Sequence, residues 1–170
     1  SLLSFVRTSD KPVPVNLEIS LDSTLGVLAW RLPPGVVVER DYRCDAPVMG
    51  DPGSLNQVWV NLLDNALKYG AAGKRVEIAM RAEGGEAVVT VRDFGPGIAP
   101  EHLPRLTERF YRVEGQKSGE RQGTGLGLAI VKHIVNRLRG GLTVESAPGQ
   151  CAAFTAYFPL PPRRDSVTSA

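Results

Sequence analysis

Cysteine is scarce in this chain of 170 residues: Cys44 and Cys151 are its two thiols, far apart and matching no metal-ligand spacing. A reduced, cytosolic-type compartment is therefore the default. No apolar run approaches the ~18 residues that a membrane span needs, and no secretory signal is present. No membrane contact by the chain itself is expected. Charge of one sign is lacking too. The formal net charge of +2 predicts neither a nucleic-acid stripe nor an acidic tail, so no nucleic-acid partner is expected. There is no internal repeat, and only the ends look low in complexity. The length suits one domain with a real core and is short for two. Ser1 stands where a methionine would open a whole protein, which points to a piece cut from a longer one.

What is present centres on Asn61-Leu62-Leu63-Asp64-Asn65-Ala66-Leu67-Lys68-Tyr69-Gly70. Read as a helix, this stretch lines Asn61, Asn65 and Lys68 along one face at i, i+4 and i+7. Val58, Trp59, Leu62, Leu63 and Ala66 supply the apolar positions that hold it on a core. A carboxamide oxygen suits Mg²⁺, which takes its other ligands from water and substrate phosphates. An ammonium one turn on can meet a phosphate. Taken alone, the pattern also fits a solvated polar face on an ordinary amphipathic helix.

Along the chain, Leu2, Leu3, Phe5 and Val6 read as the last turns of a helix begun upstream, closed at Lys11-Pro12. Val13, Val15, Leu17 and Ile19 alternate as a half-buried strand. Asp22 or Ser23 caps a helix through about Leu32, ended by Pro33-Pro34-Gly35. Residues 36–40 make a short β-branched strand. Asp51-Pro52 pairs an N-cap with proline at the first helical position, opening the asparagine helix. Val76, Ile78 and Met80, then Gly84-Gly85, then residues 88–91 spell a hairpin. Asp93-Phe94-Gly95-Pro96-Gly97-Ile98 is a loop, and short helical pieces follow over residues 101–106 and 107–111. Residues 113–122 are polar and aperiodic, a mobile loop. Gly123-Thr124-Gly125-Leu126-Gly127 leads into an amphipathic helix reaching about Arg139, stopped by Gly140-Gly141. Residues 142–144 and 154–158 close the sheet, and 161–170 form a disordered tail. Hairpin strands with three sizeable helices, without strict βαβ alternation, predict an α+β two-layer sandwich: a mixed, mostly antiparallel sheet with helices on one face.

Three features converge on one ligand. The asparagine helix offers a metal site. Asp93 offers a carboxylate among glycines that let the backbone approach a flat ring. The glycine run before Gly127 offers backbone N–H groups and a helix dipole for phosphates. Each is weak alone, and each glycine also reads as a turn or cap. Gly123 to Gly127 matches only part of a dinucleotide fingerprint, and a polar loop rather than a strand precedes it. Asp93-Phe94-Gly95 spells a kinase triplet without its His-Arg-Asp partner, and no P-loop is present.

The order is what is specific. Residues 61–70, 93–98, Glu108-Arg109-Phe110-Tyr111-Arg112 and 123–131 resemble, in turn, the N, G1, F and G2 boxes of bacterial sensor histidine kinase ATP-binding domains, within the gyrase, heat-shock chaperone and mismatch-repair ATPase superfamily. The likeness covers roughly residues 51–160. It implies that Asn65 holds Mg²⁺, with Asn61 and Lys68 near the phosphates of ATP and Tyr69 against the base. Asp93 would accept from the adenine amino group, with Gly95 and Gly97 admitting the ring. Phe110 would anchor a lid over residues 113–122, and Arg112 and Arg109 would reach the γ-phosphate. Gly123, Gly125 and Gly127 would wrap the phosphates. Ile98, Thr124, Leu126 and Leu128 complete the implied cofactor-binding set. Asn61, Lys68, Arg109 and Arg112 are the implied catalytic residues.

Two departures stand out. The family's last Gly-x-Gly motif reads here as Gly149-Gln150-Cys151-Ala152-Ala153-Phe154, without its second glycine. Neither His102 nor His133 has the acid and proline that follow a family phosphoacceptor, so both read as structural or surface residues. The resemblance then divides the chain into a stub of the acceptor helix (1–10), a catalytic domain (11–160) and the tail. The acceptor histidine domain of the parent protein and a response regulator are the implied partners; the location is cytoplasmic, with a parent that the inner membrane can anchor. Hydrolytic members of the superfamily carry a glutamate four residues before the metal asparagine; here that position is Asn61, which argues for transfer over hydrolysis. A serine kinase of the anti-sigma-factor class, an ATP-driven clamp and a degenerate binding module are the other readings.

Overall fold

The computed structural model describes residues 11–108, 127–147 and 149–162. Its first helix begins earlier than the sequence pattern predicts. β1 spans only Val13–Val15, and α1 runs from Leu17 to Leu28. The Asn16 side chain caps it by accepting from Ile19 N–H at 3.0 Å. Leu17 and Ile19 are therefore helical, not strand residues, and Ile19 is exposed. The helical period wins because Leu17, Ser20, Leu21, Thr24 and Leu28 bury one face at i, i+3, i+4, i+7 and i+11. A 3-10 turn, Ala29–Arg31, finishes the helix before Pro33 and Pro34.

β2 (Val37–Tyr42) and β3 (Val48–Gly50) follow; β3, which no pattern announces, pairs antiparallel with β1. α2 spans Pro52–Gly70. Asp51 Oδ2 accepts from Ser54 N–H at 2.9 Å and from its hydroxyl at 3.0 Å, the cap expected from the Asp-Pro pair. Leu55, Val58, Trp59, Leu62, Leu63, Ala66 and Leu67 form its buried stripe.

β4 (Arg75–Glu83) and β5 (Glu86–Asp93) make the hairpin, turning through Gly84 and Gly85, both at positive φ, as a two-residue loop between Glu83 and Glu86 requires. A 3-10 segment covers Pro100–Arg105. The second expected helical piece is not continued, since Leu106 to Glu108 form a turn and bend, and residues 109–111 lie outside the described residues. α3 (Gly127–Arg137) buries Leu128, Val131, Ile134 and Val135. It stops two residues before the expected Arg139, which takes φ 65° while Gly140 N–H donates back to the Val135 carbonyl at 2.8 Å. β6 (Gly141–Ala147) and β7 (Cys151–Pro159) complete the chain's regular structure.

The main sheet has the order β2-β4-β5-β7-β6, with β2 parallel to β4 and every other pair antiparallel. Val76, Ile78 and Met80 face the helices beside Val89, Val91, Phe154, Ala156 and Phe158. The opposite face carries Glu77, Arg92 and the hydrogen-bonded pair Thr90 and Thr155. This is the two-layer sandwich that the element pattern predicts. Trp59 sits at its centre, edge-on to Phe158 with centroids 5.9 Å apart. Its indole N–H donates to Ser20 Oγ at 2.8 Å, and that hydroxyl donates to Asn56 at 3.0 Å. Among the described residues, no helix is long and apolar enough to cross a membrane.

Candidate functional site

Asn61, Asn65 and Lys68 fall on one face of α2, as their spacing demands, and all three are half-buried. Asn65 Nδ2 donates to the Asn61 backbone carbonyl at 2.8 Å. That bond commits the amide nitrogen and leaves Oδ1 as the acceptor available to a cation. Asn61 Nδ2 is buried with no hydrogen-bond partner among the described residues. A donor left in that state is costly unless a ligand meets it. The first residue of α3 closes on this face: a Cβ at Gly127 would lie 3.5 Å from both Asn61 Oδ1 and Asn65 Nδ2. The first described residue of α3 thus meets the carboxamides, at the positive end of the helix dipole.

Asp93 ends β5 with no exposed surface. Burial pushes its carboxyl up to about 6, although backbone N–H groups of Gly95 and Ala152 pull the other way. Gly95 N–H donates to Oδ1 at 3.1 Å, whereas Oδ2 is the second buried side-chain atom without a partner among the described residues. One unanswered donor on the asparagine helix and one unanswered acceptor at Asp93 are what a purine nucleotide supplies partners for. A ring amino group would answer Oδ2, and a phosphate oxygen would answer Nδ2. The carboxamide Oδ1 of Asn65 is the kind of neutral oxygen that Mg²⁺ accepts. The residues fit both groups.

The loop after Asp93 is held from β6 and β7. Gly97 has φ 78°, and a Cβ there would come within 2.8 Å of the Ala147 carbonyl and 2.9 Å of Ser146 Oγ. Only glycine suits that position. Ile98 N–H donates to Ser146 Oγ at 2.7 Å, Ser146 passes its proton toward the Cys151 carbonyl at 3.0 Å, and Gly149 N–H donates to the Pro96 carbonyl at 2.6 Å. Ser146 escaped sequence reasoning because a serine in a strand carries no signal until the loop it holds is in view. The altered glycine motif is also resolved: Gly149 keeps φ 80°, whereas Cys151 opens β7 in ordinary strand pairing.

Ile98 and Leu128 are buried in the hydrophobic core. Arg109, Phe110, Arg112, Gly123, Thr124, Gly125 and Leu126 lie outside the described residues, as do residues 113–122 and the Tyr69 side chain.

Comparison with known proteins agrees with this fold. The family model described as histidine kinase-, DNA gyrase B-, and HSP90-like ATPase matches residues 50–162. The phosphate regulon sensor protein PhoR of Pseudomonas aeruginosa is 44% identical over 109 residues, 64% of this chain and 25% of that protein. The sensor-like histidine kinase SenX3 of Mycolicibacterium smegmatis is 41% identical over 126 residues, 72% of this chain and 33% of that protein. The chain spans 25–33% of the length of these curated relatives. Among solved structures, the mycobacterial sensor histidine kinase MprB matches with a TM-score of 0.76 at 30% identity, covering 89% of this chain and 99% of that one. Full-length ShkA, solved in complex with AMPPNP, matches with a TM-score of 0.76 at 27% identity, over 95% and 35% of the two chains.

Proposed function

The chain belongs to the histidine kinase-, DNA gyrase B- and HSP90-like ATPase family, and from that premise we propose that it is the catalytic, ATP-binding part of a sensor histidine kinase. One observation carries the reading: the two buried side-chain atoms without partners among the described residues are Asn61 Nδ2 and Asp93 Oδ2, a donor on the asparagine helix and an acceptor at the end of β5. Asp93 takes the adenine amino group, and Asn61 and Lys68 face the phosphates. Asn65 offers its carboxamide oxygen to Mg²⁺, which when bound neutralises charge on the phosphates. The AMPPNP bound by ShkA is a nucleotide of the same class.

Position 61 shapes the reaction. A carboxamide takes up no proton at neutral pH, so Asn61 orients and donates but does not activate water. The acceptor is then a nucleophile brought from elsewhere, an imidazole on a separate domain of the parent protein. Its nitrogen displaces ADP from the γ-phosphorus, and a response-regulator aspartate takes the phosphoryl group next. The work left to this domain is positioning and charge stabilisation, to which Arg112 and Arg109 contribute. We place this catalytic domain in the cytoplasm, over residues 11–160, with residues 1–10 leading from the acceptor helix.

Calorimetry of ATP binding with and without Mg²⁺, beside Asp93→Ala, tests the reading. Binding by the parent chain that the variant loses is expected. No binding by the parent chain turns the reading toward a module that has lost its nucleotide.

A further inference from the structure

Two residues at the junction of α2 and β4, Gly73 and Arg75, press on the Asp93 loop, and neither belongs to the motifs that mark the site. Gly73 ends the 3-10 turn Ala71–Gly73 and lies directly against the Phe94–Gly95 peptide. A Cβ there would overlap the Phe94 carbonyl and stand 2.9 Å from Gly95 N. Backbone cannot yield to such an overlap as a flexible side chain can. Lys74 follows with φ 60°, a left-handed conformation that a non-glycine residue keeps only where its surroundings impose it. Its carbonyl accepts from Val37 N–H at 3.0 Å, tying the strained residue to β2.

Arg75 completes the contact. Its guanidinium carbon lies 4.0 Å from the centroid of the Phe94 ring. Glu39 on β2, 3.3 Å from Nε, and Glu77, 3.5 Å from the terminal nitrogen, hold the guanidinium from two sides. Phe94 is gripped by its backbone and by its ring, and it stands between Asp93 and Gly95.

The junction also joins the two halves of the site. α2 carries the asparagine face and ends at Gly70; the brace begins at Ala71 and bears on the residue beside the buried carboxylate. We propose that Gly73 and Arg75 are positioning residues that pin Phe94, and through it the Asp93 carboxylate, at a set distance from the asparagine face of α2. The site then presents an adenine nucleotide with a template of fixed length. This inference rests on the nucleotide reading of the site. Its physical basis is that a ligand held at both ends needs both sets of hydrogen bonds in range at once. A shift of about 1 Å in one end takes a 2.9 Å bond beyond useful length. Asp93 is fully buried, so loosening the loop that carries it lets water reach the carboxylate and returns its titration toward the ordinary range.

The test compares Arg75→Leu, Phe94→Leu and their double variant with wild type. Arg81→Leu serves as control; it breaks the Arg81–Glu83 pair on the same strand. ADP affinity by calorimetry, thermal midpoint and the Asp93 carboxyl titration by NMR are measured on each. Each single variant is expected to lose about tenfold in ADP affinity, with the double variant no worse than about the weaker single one. In Phe94→Leu, which changes no charge, Asp93 is expected to titrate below the wild-type value of about 6. Arg81→Leu is expected to match wild type. Unchanged ADP affinity together with an unchanged Asp93 titration in folded Arg75→Leu and Phe94→Leu overturns the brace, and so do additive losses in the double variant. A wild-type chain that binds no ADP overturns the nucleotide reading instead. The Asp93 titration in Phe94→Leu still decides the brace in that case: a fall supports it, and no change overturns it.

Discussion

Asn65 Nδ2 is hydrogen-bonded to the carbonyl of Asn61 one turn earlier, at 2.8 Å, and lies 3.5 Å from where a Cβ at Gly127 would stand. The bond uses one amide hydrogen and leaves the carboxamide oxygen as the acceptor that the proposed Mg²⁺ site requires.

Asn65→Ala is accordingly expected to abolish the Mg²⁺-dependent part of nucleotide binding and leave the fold intact. Alanine is the best helix former, and the lost bond is local, so stability should move by no more than about 1 kcal/mol. Calorimetry with and without Mg²⁺, beside a thermal melt, checks both halves. An ATP affinity equal to wild type in Mg²⁺ would remove Asn65 from the metal site.

Asp93 gives the protein a pH signature. Its folded pKa of about 6 lies above the ordinary 3.8, so between these values the native state binds more protons than the unfolded chain. Stability therefore falls as pH rises through that window, by about 3 kcal/mol in total from this group. Asp93→Asn should flatten that descent and weaken adenine nucleotide binding, because the amide presents a donor where an acceptor is needed. Urea unfolding at intervals between pH 4 and 7, on both proteins, measures the difference in slope. Parallel profiles would show that Asp93 is not the titrating group.

Gly97→Ala should damage the same loop by strain. The residue has φ 78°, and the new methyl group would meet the Ala147 carbonyl at 2.8 Å. A cost of about 1–3 kcal/mol follows, with a loss of ATP affinity as Asp93 and Ile98 shift. Gly35→Ala supplies the comparison: it shares a positive φ, at 82°, but has nothing within 4 Å of a Cβ. It should lose stability without losing affinity. Equal affinity losses in the two variants would point to a global effect of strain.

The chain is expected to bind ATP yet not to label itself from γ-labelled ATP. His133 is exposed on α3, and His102 lies in the 3-10 segment after the Asp93 loop. Neither is needed as acceptor in the proposed reaction, so His102→Gln and His133→Gln should both accept nucleotide like wild type. Stoichiometric label on either histidine would overturn the assignment of an external acceptor.

Local chemistry written in the sequence was legible wherever a side chain acts on its own neighbourhood. Asp51-Pro52 announced the start of α2, Gly84-Gly85 announced a hairpin turn, and the Asn61, Asn65, Lys68 spacing placed three polar groups on one face. These depend on periodicity and on backbone preferences that reach only a few residues. The strand expected to continue through Leu17 and Ile19 failed for a related reason: four alternating apolar residues fit a strand, but the Asn16 cap and a buried helical face outweighed them.

What the tertiary structure alone decided is which distant residues share a surface. β3 exists because Val13–Val15 offers it a partner, and Ser146 matters because β6 passes beneath the Asp93 loop. Gly73 and Arg75 meet Phe94 because the turn after α2 and the start of β4 lie against the end of β5. Sequence by itself determined the candidate groups and the order in which they occur. The fold decided that Asp93 would be buried with one oxygen unanswered among the described residues, since desolvation is a property of everything packed around a carboxylate.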